Sequence, residues 1–184
     1  MLSLLEADRV ALLQLARSAI VEIVTNGNLP TAAAQGVFAE RCGVFVTLHI
    51  GERLRGCIGI LEGRRPLGEA VVRCAAGAAR EDPRFPPVRT EELAAIHIEL
   101  SILSPLTPIR PEQIVIGLHG LVVVADGRNG VLLPQVAIHH QLDRERFLAE
   151  TCRKAGLPFD AWRQPQIQIF GFTTEVFSEP KQSS

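Results

Sequence analysis

The chain has 184 residues, 47% apolar and 21% charged, and its 19 basic and 20 acidic side chains leave a net charge of −1. This composition is globular and excludes disordered, collagen-like and coiled-coil chains. A charge so near zero gives no long-range attraction for nucleic acid or an anionic membrane. No apolar run reaches the roughly 18 residues of a membrane helix. Residues 1–9 lack the basic start of a signal peptide, so we expect a cytoplasmic protein.

The first third of the chain predicts a helix followed by a hairpin. Ser3 and Glu6 form an S-x-x-E capping box. Apolar residues at a period near 3.6 continue from there to a glycine stop at Gly27. Residues 44–50 and 53–60 are apolar, β-rich segments separated by two turn residues, which predicts an antiparallel pair of strands.

The remaining elements mix helices and strands without regular β-α-β alternation. They are a helix from Pro66 to about Arg80, a proline-rich loop over 81–90, a strand over 95–103, a hairpin over 119–134 with its turn at 126–130, a helix from Asp143 to Gly156, and a strand over 166–177 with a bulge at Gly171. This order predicts an α+β fold with a mostly antiparallel sheet flanked by helices. No linker divides the chain, so we expect one domain over residues 1–184 with a frayed tail at 180–184.

The densest candidate for chemistry is the segment RLRGCIG at 53–59. In an extended segment Arg53, Arg55 and Cys57 share a face, and two guanidinium groups beside a thiol lower its pKa. Gly56 and Gly59 leave room for a ligand to approach. The alternative is that Cys57 is a small core residue and that the glycines relieve crowding at a bend.

Candidate acids and bases lie elsewhere in the chain. Glu99 and His97 share a face of the 95–103 strand and could exchange protons with a substrate, or that face could simply be solvated. Asp82 lies in the rigid loop and could instead cap a turn. His119 begins a strand, where a histidine is more often structural than catalytic.

Charge is unevenly distributed along the chain. Residues 53–89 carry eight arginines against four acids, which suits a small anionic ligand held by guanidinium groups or, alternatively, a solvated basic surface. Nucleic acid is an unlikely partner because this segment offers only Phe85 for base stacking. The adjacent pair His139-His140 is read as a solvated helix end, and no metal site is predicted.

Several motifs together resemble one known family. They are FVTL (45–48), LRGCIG (54–59), EDPRFPPV (81–88), IELSIL (98–103), GLHGLVV (117–123), GVLLPQVA (130–137), FLAETCRKAGLP (147–158) and AWR (161–163). The chain resembles the AMMECR family, whose prokaryotic branch is called AmmeMemoRadiSam system protein A. Ile60 and Arg80 depart from the residues expected at those positions. The resemblance implies an α+β fold of two interleaved lobes. It also implies that the protein acts on a common substrate or modification together with a Memo-like protein and a radical S-adenosylmethionine enzyme.

The residues and the resemblance give two hypotheses. In the first, the protein is an enzyme or enzyme component that uses Cys57. Its candidate catalytic residues are Cys57, Arg55, His119, Glu99 and Asp82, and its candidate binding residues are Gly56, Gly59, Arg84, Phe85 and Gly120. In the second, the protein is a non-catalytic module that binds a partner or presents a substrate through the 81–90 loop. Neither hypothesis identifies a cofactor.

Overall fold

The computed structural model describes residues 4–125 and 127–180. These residues form two compact units. Of the described residues, the terminal unit contains 4–103 together with 175–180, and the central unit contains 104–125 and 127–174. The chain therefore leaves the terminal unit after Leu103 and returns to it at Glu175.

The helices and strands follow the predicted order closely. The helices are α1 Glu6–Thr25, α2 Leu67–Arg80, α3 Pro134–His139 and α4 Arg144–Lys154. The strands are β1 Val44–Ile50, β2 Arg53–Ile60, β3 Ile96–Leu103, β4 Thr107–Pro108, β5 Gly120–Ala125, β6 Arg128–Leu132, β7 Gln168–Phe172 and β8 Thr174–Ser178. Of these elements, the sequence analysis missed β4 and α3. Each is six residues or shorter, too short to show a hydrophobic period.

The terminal unit is a four-stranded sheet in the order β2-β1-β3-β8, with α1 and α2 against one face. Alternate residues of the strands, such as Val46, Leu48 and Ile98, are fully buried in a core that includes Ile20 of α1 and Ala75 of α2. Because side chains alternate across a strand, the intervening residues point to the opposite face of the sheet. We call this the polar face; its members include Thr47, His49, Cys57, His97 and Glu99.

A one-residue β-bulge in the β1–β2 hairpin decides which side chains reach the polar face. The pairs Ile50↔Arg53 and His49↔Leu54 are followed by Leu48↔Gly56, so Arg55 has no partner in the register. Without the bulge, Cys57 would pair with Val46 and point into the core. The bulge moves Gly56 to the core side and Cys57 to the polar face.

The central unit is a second antiparallel sheet, in the order β4-β7-β5-β6, with α3 and α4 packed against it. Leu121, Ala137, Phe147 and Leu148 are buried in its core. Helix α4 begins at the predicted N-cap, where the Asp143 carboxylate accepts the Arg146 N–H at 2.8 Å.

Three local predictions are corrected by the structure. Helix α1 begins at Glu6, and the Asp8 carboxylate accepts the Leu5 N–H at 3.0 Å, so Glu6 does not form the reciprocal half of a capping box. The predicted strand 166–177 is two strands in different sheets, because the chain leaves β7 after Phe172 and enters β8 at Thr174. Gly171 keeps regular register with Leu121 and is not a bulge.

The predictions for Ser3, for Asp126 in the hairpin turn and for 181–184 in the tail lie outside the described residues.

Gln141, between α3 and α4, has a left-handed backbone with φ of 51°. The Leu142 N–H bonds the Ala137 carbonyl at 2.8 Å, the long-range bond of a Schellman helix end, whose left-handed position usually holds glycine. We expect Gln141→Gly to raise the free energy of unfolding by about 0.5–1 kcal/mol and the Tm by about 2–3 °C. Thermal unfolding measures this. His140→Gly is the control because His140 has an ordinary φ, and it should not stabilise. A Gln141→Gly variant no more stable than wild type would contradict the expectation.

Candidate functional site

Cys57 is half-buried on the polar face of the terminal unit. Its partner across β1 is Thr47, whose hydroxyl donates a hydrogen bond of 3.3 Å to the Cys57 sulfur. Burial raises the pKa of the Cys57 thiol above its ordinary value, and the Thr47 hydrogen bond offsets part of that increase. This corrects the expectation that its surroundings lower the pKa.

The buried carboxylate of Asp82 anchors the proline-rich loop to the edge of the sheet beside Cys57. Because β2 is an edge strand, the Cys57 N–H points away from the sheet, and Asp82 Oδ2 accepts it at 2.8 Å. The Arg84 side chain donates to the same carboxylate through Nε at 2.9 Å and Nη2 at 2.7 Å, and the Arg84 N–H donates at 3.1 Å. These bonds hold the charged form, led by the guanidinium, so the pKa of Asp82 lies well below its usual range.

Arg84 is the guanidinium that acts on the Cys57 thiol. Its positive charge lowers the pKa of Cys57, although by less than burial raises it. The Arg84 side chain is 51% exposed, and its Cζ lies 5.4 Å from the centre of the Phe85 ring. Asp82 occupies Nε and Nη2, so Nη1 has no partner among the residues that the structure describes. Arg84 can therefore offer N–H groups to an anion while it stays fixed by Asp82.

Arg55, predicted to hold the thiolate or an anionic substrate, is bound to a carboxylate of its own. Its Nε and Nη2 donate to Glu92 at 2.7 and 3.0 Å, and both side chains are largely buried. The Arg89 N–H also bonds Glu92, at 2.9 Å. Arg55, followed by that backbone bond, lowers the pKa of Glu92 to about 2. The three residues predicted to share a face are separated by the bulge, and Arg53 is exposed.

A row of three polar side chains crosses the sheet at Cys57. Thr47 pairs with Cys57 on one side and with Glu99 on the other, so thiol, hydroxyl and carboxylate lie on three adjacent strands. We call this the Cys57 row. Strands are about 4.8 Å apart, which separates the Cys57 and Glu99 backbones by about 10 Å. The Glu99 charge raises the pKa of Cys57 slightly. As predicted, His97 shares this face with Glu99, and its partner in the register is His49.

The predicted binding glycines make room for the protein's own atoms. A Cβ at Gly56 would lie 2.1 Å from the Ala78 carbonyl oxygen of α2, and a Cβ at Gly59 would lie 2.3 Å from the Phe45 ring. In the central unit, a Cβ at Gly120 would lie 2.3 Å from the Phe172 ring. Packing within each unit therefore accounts for all three glycines.

His119 belongs to the central unit. Its Nδ1 accepts the Val115 N–H at 3.0 Å, within a turn in which the His119 N–H bonds the Val115 carbonyl. This bond fixes the ring locally and leaves Nε2 as the remaining polar atom of the side chain. The predicted catalytic role of His119 stays a prediction.

Two contacts of the candidate site were missed by the sequence analysis. Thr47 supports the thiol, and Glu92 neutralises Arg55. The register of the hairpin could have identified Thr47 only if the bulge had been anticipated. Glu92 lies 37 positions from Arg55 in a short helical turn, and no sequence pattern joins them.

The described residues were also searched for a metal site and for a membrane-spanning helix. Within 4–125 and 127–180, no group of three His, Cys, Asp or Glu side chains is placed to hold a metal ion. In the same ranges, no helix has the length and hydropathy needed to cross a membrane.

Comparison with known proteins identifies the family. The model of the AMMECR1 family matches residues 13–177. The chain belongs to the AMMECR1 family. A protein of Thermococcus gammatolerans is 45% identical over 181 residues, covering 91% of this chain and 88% of that one. A protein of Methanothermobacter thermautotrophicus is 43% identical over 178 residues, covering 91% and 92%.

A solved structure of the family has the same fold. The crystal structure of the uncharacterized protein PH0010 from Pyrococcus horikoshii matches with a TM-score of 0.88 and 40% identity, covering 92% of this chain and 90% of that chain. The predicted family and the predicted α+β class are therefore both confirmed. The names of these AMMECR1 relatives state no reaction, so a function for this chain must be argued from its own residues.

Proposed function

We propose that this AMMECR1-family protein is an enzyme, or an enzyme component, whose reactive group is the Cys57 thiol. One observation carries the proposal: Cys57 is half-buried on a polar face, bonded to Thr47 and in line with the carboxylate of Glu99. A cysteine that only fills space in a core needs neither a hydroxyl on its sulfur nor a carboxylate in its row.

Each residue of the site has a distinct role in this proposal. Cys57 is the nucleophile, and the Thr47 hydrogen bond stabilises the thiolate as it forms. Glu99 is the base that takes up the proton lost by the Cys57 thiol, relayed through a polar group of the substrate that lies along the Cys57 row. Arg84 binds an anionic group of that substrate through its free N–H groups. Asp82 is a positioning residue that holds both the Cys57 backbone and the Arg84 side chain.

The partners in the proposal come from the family resemblance. A Memo-like protein and a radical S-adenosylmethionine enzyme would act with this chain on a common substrate. Among the arginines of residues 53–89, Arg84 supports an anionic substrate because its Nη1 has no partner among the described residues, whereas Arg55 is paired with Glu92.

Competitive alkylation tests the reactivity of Cys57. With limiting iodoacetamide at mildly alkaline pH, we expect Cys57 to be modified faster than the other three thiols, as measured by peptide mass spectrometry. Cys42 is the matched control because it is also half-buried, but burial raises its pKa to about 11 with no hydroxyl donor to offset it. Cys74 and Cys152 are buried. A Cys57 that reacts no faster than Cys42 would refute its role as the reactive group.

The second candidate, a non-catalytic module that binds a partner protein, is favoured by one specific observation. The exposed Arg84 side chain lies against the half-buried ring of Phe85 on a rigid, proline-rich loop, while burial raises the pKa of the Cys57 thiol. In that case Arg84→Ala and Phe85→Ala should abolish co-purification with the Memo-like protein, and Cys57→Ser should leave it intact. Co-purification that depends on Cys57 but not on Arg84 would instead favour the enzyme.

A further inference from the structure

A cavity of about 660 Å³ lies within the central unit, among the end of β6, the turn between α3 and α4, and the last turns of α4. This volume is in the range of sites that hold small organic molecules. Every residue that lines the cavity belongs to the central unit, whereas the Cys57 row lies in the terminal unit. The cavity is therefore unexplained by the proposed function.

One side of the cavity is apolar. Leu132, Val136 and Leu142 line it, and all three are half-buried, with Leu132 and Leu142 also packed against the core of the central unit. Leu142 is held there by the Schellman helix end, in which its N–H bonds the Ala137 carbonyl. The left-handed conformation of Gln141 is needed for that turn, so the backbone places Leu142 at the cavity despite an unfavourable residue.

The other side of the cavity is positively charged. It is formed by His140, Glu150, Arg153 and Lys154. Arg153 and Glu150 neutralise each other, because Arg153 Nε donates to Glu150 at 2.8 Å. The Lys154 ammonium has neither an ion pair nor a hydrogen bond among the residues that the structure describes. Lys154 therefore supplies an uncompensated positive charge at the rim.

Lys154 does not cap the end of α4 by bonding its terminal carbonyl groups. A cation in the last turn often bonds the terminal carbonyl groups. In α4 the carbonyls of Thr151, Cys152 and Arg153 already accept backbone N–H groups from residues 155–157. The Lys154 ammonium is thus free to bind a ligand.

We propose that this cavity binds a small amphipathic organic anion, with a carboxylate or phosphate at Lys154 and an aliphatic or aromatic group against Leu132, Val136 and Leu142. A cationic rim beside an apolar wall matches both parts of such a molecule. The site makes the central unit a ligand-binding element in its own right.

Methyl-detected NMR titration of the full chain tests the proposal. Octanoate is the probe, octanamide is its neutral counterpart, and phenyl phosphate distinguishes a phosphate from a carboxylate ligand. We expect octanoate to shift the methyl signals of Leu132, Val136 and Leu142 saturably, and octanamide to bind at least about fivefold more weakly.

Substitution of the cation provides the second arm of the test. Lys154→Met should raise the octanoate Kd about fivefold or more, because it removes the charge and keeps the length of the side chain. Arg146→Gln is the matched control, since Arg146 is an exposed cation on α4 that does not line the cavity. Absence of shifts at these methyls, equal binding of octanamide, or an unchanged Kd in Lys154→Met would overturn the proposal. Tighter binding of phenyl phosphate than of octanoate would support it with phosphate as the head group.

Discussion

Replacing Asp82 with asparagine is expected to lower the free energy of unfolding by about 3 kcal/mol, because it removes a buried carboxylate that accepts several hydrogen bonds and leaves their donors without an acceptor. The Asp82 side chain is 3% exposed and accepts four hydrogen bonds, one from the Cys57 N–H and three from Arg84. An asparagine keeps the shape but loses the charge, and its NH2 group meets donors where an acceptor is needed. Urea unfolding at neutral pH measures the change.

The neighbouring residue supplies the control for this prediction. Glu81 is exposed, so Glu81→Gln should alter the free energy of unfolding by less than about 0.5 kcal/mol. A loss in Asp82→Asn no larger than in Glu81→Gln would show that the carboxylate does not anchor the loop.

The difference in the free energy of unfolding between wild type and Asp82→Asn is expected to change with pH in one direction. The pKa of Asp82 is lowered in the folded state, led by its bonds to Arg84. Its stabilising contribution is therefore complete above the ordinary aspartate pKa, about 3.9, and is lost as the pH falls below that value. We expect the stability difference between wild type and Asp82→Asn to shrink on acidification below about pH 4. A difference that stays constant or grows would contradict the assignment.

Gly56→Ala is expected to be at least as damaging as Asp82→Asn, with a loss of about 3 kcal/mol or more. The added Cβ would lie 2.1 Å from the carbonyl oxygen and 3.1 Å from the carbonyl carbon of Ala78. Both are backbone atoms of α2, so the clash can be relieved only by moving the helix away from β2. Urea unfolding, with far-UV circular dichroism to confirm that the variant folds, measures the loss.

Gly77→Ala is the matched control on the same packing surface. A Cβ at Gly77 would lie 3.3 Å from Cγ2 of the Ile58 side chain, which can shift slightly. Alanine also favours the helix by up to about 1 kcal/mol, so the net change should stay within about 1 kcal/mol. Equal effects of the two substitutions would mean that the close approach at Gly56 is not fixed by backbone packing.

Elements defined by local patterns could be predicted from the sequence. The helix α1, the strands β1 to β3 and the helix α4 were found because each has a clear hydrophobic period or a recognisable cap. The prediction of a single strand over 166–177 was wrong because an extended segment can pass from one sheet to another without a change in composition. The step at Thr173 depends on which neighbours each half finds, and that is a tertiary effect.

The structure brings together part of the candidate site, and the error about Arg55 has a single physical origin. Cys57, Glu99 and Asp82 were chosen from residue type and spacing, and the structure places Cys57 and Glu99 in one row with Asp82 at the strand edge. The role expected of Arg55 depended on regular alternation along β2. A bulge of one residue breaks that alternation, so Arg55 turns to Glu92.

The basic partner of the thiol came instead from the loop. Arg84 reaches the site because Asp82 binds it and the Cys57 N–H with the same carboxylate. Sequence alone identified the loop as rigid through its prolines, but it could not show which strand edge the loop covers.

The pH dependence of Cys57 alkylation tests the central claim, which is that Arg84 and Glu99 have opposite effects on the pKa of this thiol. The rate constant for iodoacetamide at Cys57 would be measured against pH by peptide mass spectrometry in wild type, Arg84→Gln and Glu99→Gln. The Arg84 charge lowers the pKa of Cys57 and the Glu99 charge raises it. We predict that the midpoint of the curve of alkylation rate constant against pH moves to higher pH in Arg84→Gln and to lower pH in Glu99→Gln. Midpoints that coincide in all three proteins, or that move in the reverse directions, would contradict the site described here.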